Sequence, residues 1–120
     1  MIINLTQHLA TPEQENMGVI NLPEDKRATL LSLLTFTTIP TKEEVKERAN
    51  KIALLVDGTG CGTAMIGGAP YLMPILAETL KKWNIIPVFS FTERNVVETT
   101  QPDGTVVKTA IFKHVGWVEA

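Results

Sequence analysis

The chain has 120 residues, of which 44% are hydrophobic and 20% charged, and this predicts one globular domain with its own core and no second domain. The formal net charge of −2 and the pI near 5.6 exclude general binding to a nucleic-acid backbone, which requires a broad basic surface. Because no apolar run can span a bilayer and no signal-peptide pattern opens the chain, we expect a cytoplasmic protein without membrane contact.

The first half of the chain alternates short apolar strands with helices that have clear starts. Thr11 followed by Pro12 is typical of a helix start, and Thr41 with Glu44 forms a capping box before apolar residues at helical spacing. The predicted elements are strands at 2–5 and 19–22, and helices at 12–17, from 24 to about 36, and from 42 to Gly58.

The second half contains a two-glycine turn, a buried strand and a hairpin. The helix after Gly67 and Gly68 starts either near Pro74 or, with an irregular first turn, at Pro70. The following strand is apolar at nearly every position, as expected of a strand covered on both faces. The predicted elements are a strand at 64–67, a helix to about Trp83, a strand at 85–91, and hairpin strands at 96–100 and 105–118 joined by a turn at 101–104.

Strands separated by helices pair in parallel through right-handed crossovers. The pattern therefore predicts an α/β fold, a small Rossmann-like three-layer sandwich with helices on both faces of a parallel sheet. The C-terminal hairpin adds antiparallel strands at the edge. Residues 1–120 are expected to form a single Rossmann-like domain, with a parallel α/β core at 1–94 and the β-hairpin at 95–120.

Several familiar chemistries are excluded. Cys61 is the only cysteine, so the chain cannot form an intrachain disulfide. One cysteine and two histidines without ligand spacing predict no metal site. The glycines at 58, 60 and 62 lack the spacing of a dinucleotide-binding turn, and neither a phosphate-loop motif nor a serine nucleophile elbow is present. We therefore expect no cofactor.

Polar residues and glycines follow three predicted parallel strands and define a candidate ligand site. In such sheets ligands bind beyond the carboxyl ends of the strands, where strand order reverses. This rule brings together Gln7 and His8 after the first strand, Gly67, Gly68 and Ala69 after the middle strand, and residues 90–94 after the third. A small anion is the expected ligand, since glycines allow close approach and a helix N-terminus offers free N–H groups. The simpler alternative, that the glycines only turn the chain, stays open.

The candidate site residues have distinct roles in this hypothesis. His8 is the candidate catalytic residue, as general base or proton donor, although it could be a surface or capping histidine. Gln7 and Ser90 are candidate ligand contacts, and either could instead make only a local hydrogen bond.

Two cations complete the candidate set. Arg94 is a candidate clamp for a phosphate or carboxylate, because its planar guanidinium binds such groups in a bidentate manner. The alternative is an ion pair with Glu93 or Glu98. Lys108 on the last strand is a further candidate contact, although an edge strand commonly carries lysines that discourage pairing with other chains.

Gly67–Pro70, which opens a helix, and Ser90–Arg94, at the end of a buried strand, carry a family resemblance. Together with the order of elements over residues 1–94, they resemble the small Rossmann-type proteins found with CRISPR systems, which relate to the CRISPR-associated Rossmann-fold (CARF) domain. The resemblance implies rim loops that hold cyclic oligonucleotides, and ring cleavage in some members. The 120 residues include no effector domain and end in a long hairpin, both departures from that family, so it implies a stand-alone binding or cleaving role.

Two functional hypotheses follow. In the first, the protein binds, and through His8 can cleave, a small phosphate-containing ligand such as a cyclic oligonucleotide; the sequence leaves open whether it is an enzyme. In the second, it is a non-enzymatic module that forms a homodimer through its terminal strand, where Ile111, Val115 and Trp117 need cover. The hypotheses are compatible, since a dimer can bring two rims together.

Overall fold

The computed structural model describes residues 1–120 and shows a mixed α/β fold. In chain order the elements are β1 (Ile2–Leu5), α1 (Pro12–Asn16), β2 (Val19–Asn21), α2 (Glu24–Leu34), α3 (Lys42–Val56), β3 (Thr63–Ile66), α4 (Met73–Lys82), β4 (Ile86–Thr100) and β5 (Val106–Glu119). Thr11 and Thr41 cap α1 and α3, as their spacing predicts. The longest helix, α3, has 15 residues, and no helix combines the length and apolar character that a bilayer crossing requires.

Five strands form one sheet in the order β2-β1-β3-β4-β5. β1 pairs in parallel with β2 and β3, and β3 pairs in parallel with β4, whereas β4 and β5 are antiparallel. The chain runs outward from β1 to β2 and then returns to β3 on the other side of β1. Strand order therefore reverses between β1 and β3. The predicted parallel core with an antiparallel hairpin at its edge is confirmed.

The two faces of the sheet are covered unequally. The main hydrophobic cluster joins Ile3, Leu5 and Ile66 of the sheet to the buried residues of α2, α3 and α4. The other face carries a small cluster of Ala10, Val19, Met65 and Val88. Right-handed crossovers place α1 on this second face, because the connection from β1 to β2 runs in the opposite direction to the later connections. Since α1 has no buried residue, the cover that it provides is thin.

β4 is a single strand of 15 residues, whereas the sequence predicted two strands separated by a polar loop. The prediction that the strand ends at Phe91, with residues 92–95 connecting it to the hairpin, is therefore wrong. Ser90 pairs with Trp117 and Arg94 pairs with Phe112 inside the β4–β5 ladder. An antiparallel partner supplies backbone hydrogen bonds along the whole strand, so exposed polar side chains do not end it. The hairpin consequently starts before residue 95, at Val88.

Residues 91–115 form a two-stranded arm that projects beyond the carboxyl ends of β1 and β3. The molecule measures 58 × 33 × 26 Å, and its Cα radius of gyration of 17.4 Å exceeds the value of about 14 Å expected for a compact chain of this length. Every residue of the arm except His114 is exposed. At the tip, the hydroxyl and backbone N–H of Thr105 donate to Asp103, which lowers the pKa of that carboxyl.

We expect amide hydrogens of the arm to exchange faster than those of the sheet core. An isolated two-stranded hairpin is only marginally stable in water, because neither of its faces buries apolar surface against another element. Hydrogen-exchange mass spectrometry at the lowest workable protein concentration should show fast exchange within residues 92–113 and slow exchange in β3 and α4. Equal protection of the arm and β3 would contradict this prediction.

Candidate functional site

A cavity of about 600 Å³ opens at the carboxyl ends of β1 and β3. Its walls come from the loop after β1, the start of α1, the end of β3 with the glycines that follow, and part of β4. Cavities of this volume commonly hold small-molecule ligands. The lining residues are Thr6, Gln7, His8, Leu9, Thr11, Gln14, Met65, Ile66, Gly67, Gly68, Phe89 and Ser90.

The cavity lies where strand order reverses. After β1 the chain enters α1 on one face of the sheet, and after β3 it leads to α4 on the other face, so the two loops diverge and leave a crevice between them. Residues 6–8 line one side of this crevice and Gly67 and Gly68 line the other. The topology thus brings together two segments that are about sixty residues apart in sequence.

The side chain of Asn4, which is 1% exposed, fixes the loop after β1. Its Nδ2 donates to the carbonyl of His8 at 2.7 Å and to Oδ1 of Asn21 at 2.9 Å. Its Oδ1 accepts from the backbone N–H of Thr6 at 2.9 Å and from the Thr6 hydroxyl at 2.7 Å. One buried amide therefore turns the chain so that residues 6–8 reach the cavity.

Two further contacts hold the same loop. Oδ1 of Asn21, on the neighbouring strand β2, also accepts from the backbone N–H of Ala10 at 3.0 Å. Arg27, near the start of α2, donates from Nη2 to the carbonyl of Gln7 at 2.7 Å. The loop that carries Gln7 and His8 is thus attached to β1, β2 and α2, and a guanidinium cation lies directly against its backbone.

Gly67 and Gly68 form the opposite side of the cavity. Gly68 has a φ of +152°, a conformation that residues with side chains rarely adopt, and a Cβ there would lie 3.4 Å from Cε of Met73. A Cβ at Gly67 would lie 3.4 Å from Cγ2 of Thr6 on the facing loop. Gly68 is therefore required by its backbone conformation, whereas a Cβ at Gly67 would make only an ordinary van der Waals contact with Thr6.

The N-terminus of α4 does not face the cavity, which differs from the prediction. α4 begins at Met73, with Pro74 in its first turn, and none of its residues lines the cavity. An irregular turn comes first, in which the N–H groups of Leu72 and Met73 donate to the carbonyl of Ala69 at 3.0 and 3.2 Å. An anion in this cavity would therefore be held by loop and side-chain donors.

Five of the predicted site residues line the cavity together: Gln7, His8, Gly67, Gly68 and Ser90. Ala69 does not line it, and packs instead against the main hydrophobic cluster. The parallel pairing of β1 and β3 accounts for the agreement, because the residues after both strands come to the same edge of the sheet. Ser90 reaches the same edge from inside β4.

Arg94 and Lys108 lie on the arm and outside the cavity lining. Lys108 is 3.6 Å from Glu98 across the two strands, and both side chains are largely exposed. Arg94 forms no ion pair, so neither of its predicted partners binds it. Side chains alternate along β4, so Arg94 lies on the same face as Ser90, about 13 Å farther along the strand towards the tip of the arm.

No Lys, Arg, Asp or Glu side chain lines the cavity. Its polar groups are hydroxyls, side-chain amides, backbone groups and the imidazole of His8, which is the only titratable side chain of the lining. The absence of carboxylates leaves no lining side chain that would repel an anion. No group of three or more His, Cys, Asp or Glu side chains is placed to hold a metal ion.

Three residues that organise the site lie outside the predicted set. Asn4 is a polar residue within an apolar strand, and this pattern could have indicated a buried amide with a structural role. Gln14 completes the capping box of α1, and its Nε2 lies 3.4 Å from Oγ of Ser90. His114 lies with Nδ1 2.6 Å from the same Oγ. No local pattern pairs His114 with Ser90, because that contact depends on the strand register of the hairpin.

The chain belongs to the MJ1673 family. The family model described as "Uncharacterized protein MJ1673 family" matches residues 1–118, which include every element of the sheet and both sides of the cavity. Neither the comparison with curated proteins nor that with solved structures found a match. What the cavity binds must therefore be argued from its own geometry.

Replacing Asn4 by alanine should lower the free energy of unfolding by about 2–4 kcal/mol, because it leaves buried backbone and side-chain groups without partners. Asn50→Ala on the exposed face of α3 is the matched control, with an expected change within about 0.5 kcal/mol. Urea unfolding followed by circular dichroism measures both. Equal effects of the two substitutions would contradict the role given to Asn4.

Proposed function

We propose that this member of the MJ1673 family binds a small phosphate-containing ligand, of the nucleotide or cyclic oligonucleotide class, in the cavity between the loops after β1 and β3. The observation that carries the proposal is the convergence of a fixed polar loop and a two-glycine turn on a cavity without carboxylates. Phosphate oxygens only accept hydrogen bonds, and this lining offers O–H and N–H donors.

The proposal includes a Rossmann-like assignment of the fold, in which α1 forms a thin outer layer. It is supported by the position of the cavity, since Rossmann-like folds bind nucleotides where strand order reverses. The resemblance to CARF-type proteins is part of the same proposal. It supplies the cyclic oligonucleotide as the specific ligand to be tested first.

His8 is the proposed acid–base residue. In cleavage of a phosphodiester it donates a proton to the leaving oxygen, while the fixed donors around it stabilise charge on the phosphoryl oxygens. The backbone of His8 is held by Asn4 and that of Gln7 by Arg27, so the imidazole is presented from an ordered loop. Binding and cleavage are separable, because the glycine turn and the hydroxyls bind without the imidazole.

A ligand larger than a mononucleotide should also contact Arg94. The cavity volume suits a single nucleotide unit, and a longer ligand would extend along the face of β4 that Ser90 and Arg94 share. Arg94 has no ion-pair partner, so its guanidinium is available to an outer phosphate.

Arg94→Ala should weaken binding of a cyclic or linear oligoadenylate by about 1.5–3 kcal/mol, the range for a hydrogen bond to a charged group, and leave binding of a mononucleotide unchanged. Arg94→Lys should recover only part of the loss, because the bidentate geometry is missing. Lys113→Ala is the matched control, since Lys113 lies on the opposite face of the arm. Isothermal titration calorimetry with adenylate mononucleotides and oligomers measures each affinity.

The same titrations can overturn the proposal. A wild-type protein that binds none of these phosphates would refute it. If Arg94→Ala does not change binding of the oligomer, the cavity remains the proposed binding site but Arg94 is not part of it. For cleavage, chromatography of the oligomer after incubation should show products with wild type and none with His8→Ala, whose affinity should stay within a few fold.

A second candidate function, self-association as a homodimer, is favoured by the arm. Both of its faces carry exposed apolar side chains, with Val96 and Phe112 on the face of Ser90 and Val97, Val107 and Ile111 on the other. Exposed apolar area of this kind commonly marks a protein interface.

The charges of the arm support a second copy as the partner. Residues 91–115 contain three acidic side chains, Glu93, Glu98 and Asp103, and three basic ones, Arg94, Lys108 and Lys113. A neutral surface with both signs interspersed suits neither a nucleic acid nor an anionic membrane. In a two-fold dimer the same surface meets itself, so each cation can face a carboxylate of the partner.

Phe112→Asp should raise the dissociation constant of the dimer at least tenfold. The side chain of Phe112 is 67% exposed in the single chain and is covered in the proposed dimer, so the substitution buries a charge at the interface. Ile39→Asp is the matched control, because Ile39 is 97% exposed and belongs to the loop before α3 and not to the arm. Light scattering over a concentration series gives the constants. A wild-type monomer at tens of micromolar would refute self-association.

A further inference from the structure

Ser90 and His114 form a hydrogen-bonded pair at the edge of the cavity. Oγ of Ser90 lies 2.6 Å from Nδ1 of His114. Ser90 is exposed and lines the cavity, whereas His114 is 6% exposed and is not part of the lining. A hydroxyl open to a ligand and bonded to a buried imidazole is the arrangement of an activated nucleophile and its base.

A β-bulge creates this pair. The register of the β4–β5 ladder shifts between Phe91 and Thr92, so that Gly116 faces Phe91 but His114 faces Thr92, and Val115 is left over. Without the bulge, Val115 would share the face of Ser90 and His114 would point to the other side. Bulges are over-represented at sheet edges, such as β5, and beside functional sites, where they redirect a side chain.

The hydrogen bonds around Ser90 leave its hydroxyl proton free for His114. Oε1 of Gln14 accepts from the backbone N–H of Thr11 at 3.0 Å, so the amide of Gln14 is fixed with Nε2 towards Ser90. Nε2 is a donor and lies 3.4 Å from Oγ of Ser90, a long contact in which Oγ accepts. The single proton of Ser90 remains available to Nδ1 of His114, which accepts it in the tautomer that carries its own proton on Nε2.

His114 is held against Trp117 by an edge-to-face contact with ring centroids 4.6 Å apart. Nε2 of His114 and Nε1 of Trp117 are both buried and have no hydrogen-bond partner. A buried histidine with one unpaired nitrogen costs stability that an apolar residue at this position would not. A catalytic role is one reason for a protein to keep such a group.

The geometry points to Ser90 as a covalent nucleophile and His114 as its general base. This inference rests on the proposed function for its substrate, a phosphodiester, and it names the nucleophile that the proposed function leaves open. The Oγ–phosphorus bond forms and the bond from phosphorus to the leaving oxygen breaks. The proton of Oγ passes to Nδ1 of His114, and the leaving oxygen takes a proton from the His8 imidazolium.

Hydrolysis of the phosphoseryl intermediate restores the enzyme. Water attacks phosphorus and gives a proton to His8, the bond from phosphorus to Oγ breaks, and Oγ takes back the proton from Nδ1 of His114. The net reaction consumes one water and releases an alcohol and a phosphomonoester. Attack by a ribose 2′-hydroxyl of the ligand, the competing route, would release a cyclic phosphate instead.

A biotinylated fluorophosphonate tests the nucleophile directly, because its fluoride is displaced by an activated serine without any need for the natural ligand. Mass spectrometry of the labelled full chain should place the adduct on Ser90. The only other serine, Ser32 on the exposed side of α2, is the internal control and should stay unlabelled. Ser90→Ala should abolish labelling, and Ser32→Ala should leave its rate unchanged.

His114→Gln should slow labelling of Ser90 at least about a hundredfold, the usual effect of removing a general base. Circular dichroism and a thermal melt report whether this buried substitution keeps the fold. Ser90→Cys leaves His114 in place, and its new thiol should be alkylated by iodoacetamide faster than the thiol of Ser32→Cys. Labelling of Ser90 no faster than that of Ser32, or equal alkylation of the two thiols, would overturn the inference.

The two proposals can fail separately. Labelling of Ser90 in a protein that binds no phosphate ligand would refute the proposed function and leave the nucleophile. Ligand binding without labelling, or a cyclic phosphate as the only product, would refute the nucleophile and leave the proposed function.

Discussion

The candidate site depends on a single buried amide. Both N–H groups and both lone pairs of the Asn4 side chain are used, on partners in the loop after β1 and in β2. A buried amide is costly unless all of these positions are satisfied, so the loop is held in the one conformation that satisfies them. The loop position of His8 and the shape of the cavity both follow from this constraint.

The sheet divides the molecule into a stable side and an adaptable side. Three helices cover one face and build the main core, so the positions of β1, β3 and the first part of β4 are well determined. The other face has a small cluster, the cavity and the buried pair of His114 and Trp117. Polar groups without partners are found on this second face, where less apolar packing competes with them.

Local signals predicted most of the fold. Caps such as Thr11 and Thr41 mark helix starts within a few residues, and alternation of strands and helices implies parallel pairing, so the position of the cavity followed from topology alone. The end of a strand is harder to predict from local sequence, because it depends on whether a partner strand continues beside it. Polar residues from Glu93 to Asn95 therefore looked like a loop and are part of β4.

The parts of the site that sequence could not predict are equally non-local. The register shift that places His114 beside Ser90 is a property of two strands together, and no spacing within either strand encodes it. Ala69 was grouped with the glycines because it follows them, but the turn that its carbonyl closes directs it to the core. Arg94 was predicted at the rim because the strand was expected to end at Phe91, whereas β4 continues to Thr100.

One strand, β4, forms part of the cavity wall with its middle and half of the arm with its end. Ser90 and Phe112 are therefore joined by a short stretch of backbone ladder that contains the bulge, so a partner that orders the arm would also order the serine. Thermodynamic linkage makes such coupling reciprocal. If dimerisation raises the affinity of the cavity for a ligand, that ligand must raise the affinity of dimerisation by the same factor. If both proposed activities hold, occupancy of the cavity would change the assembly state of the protein.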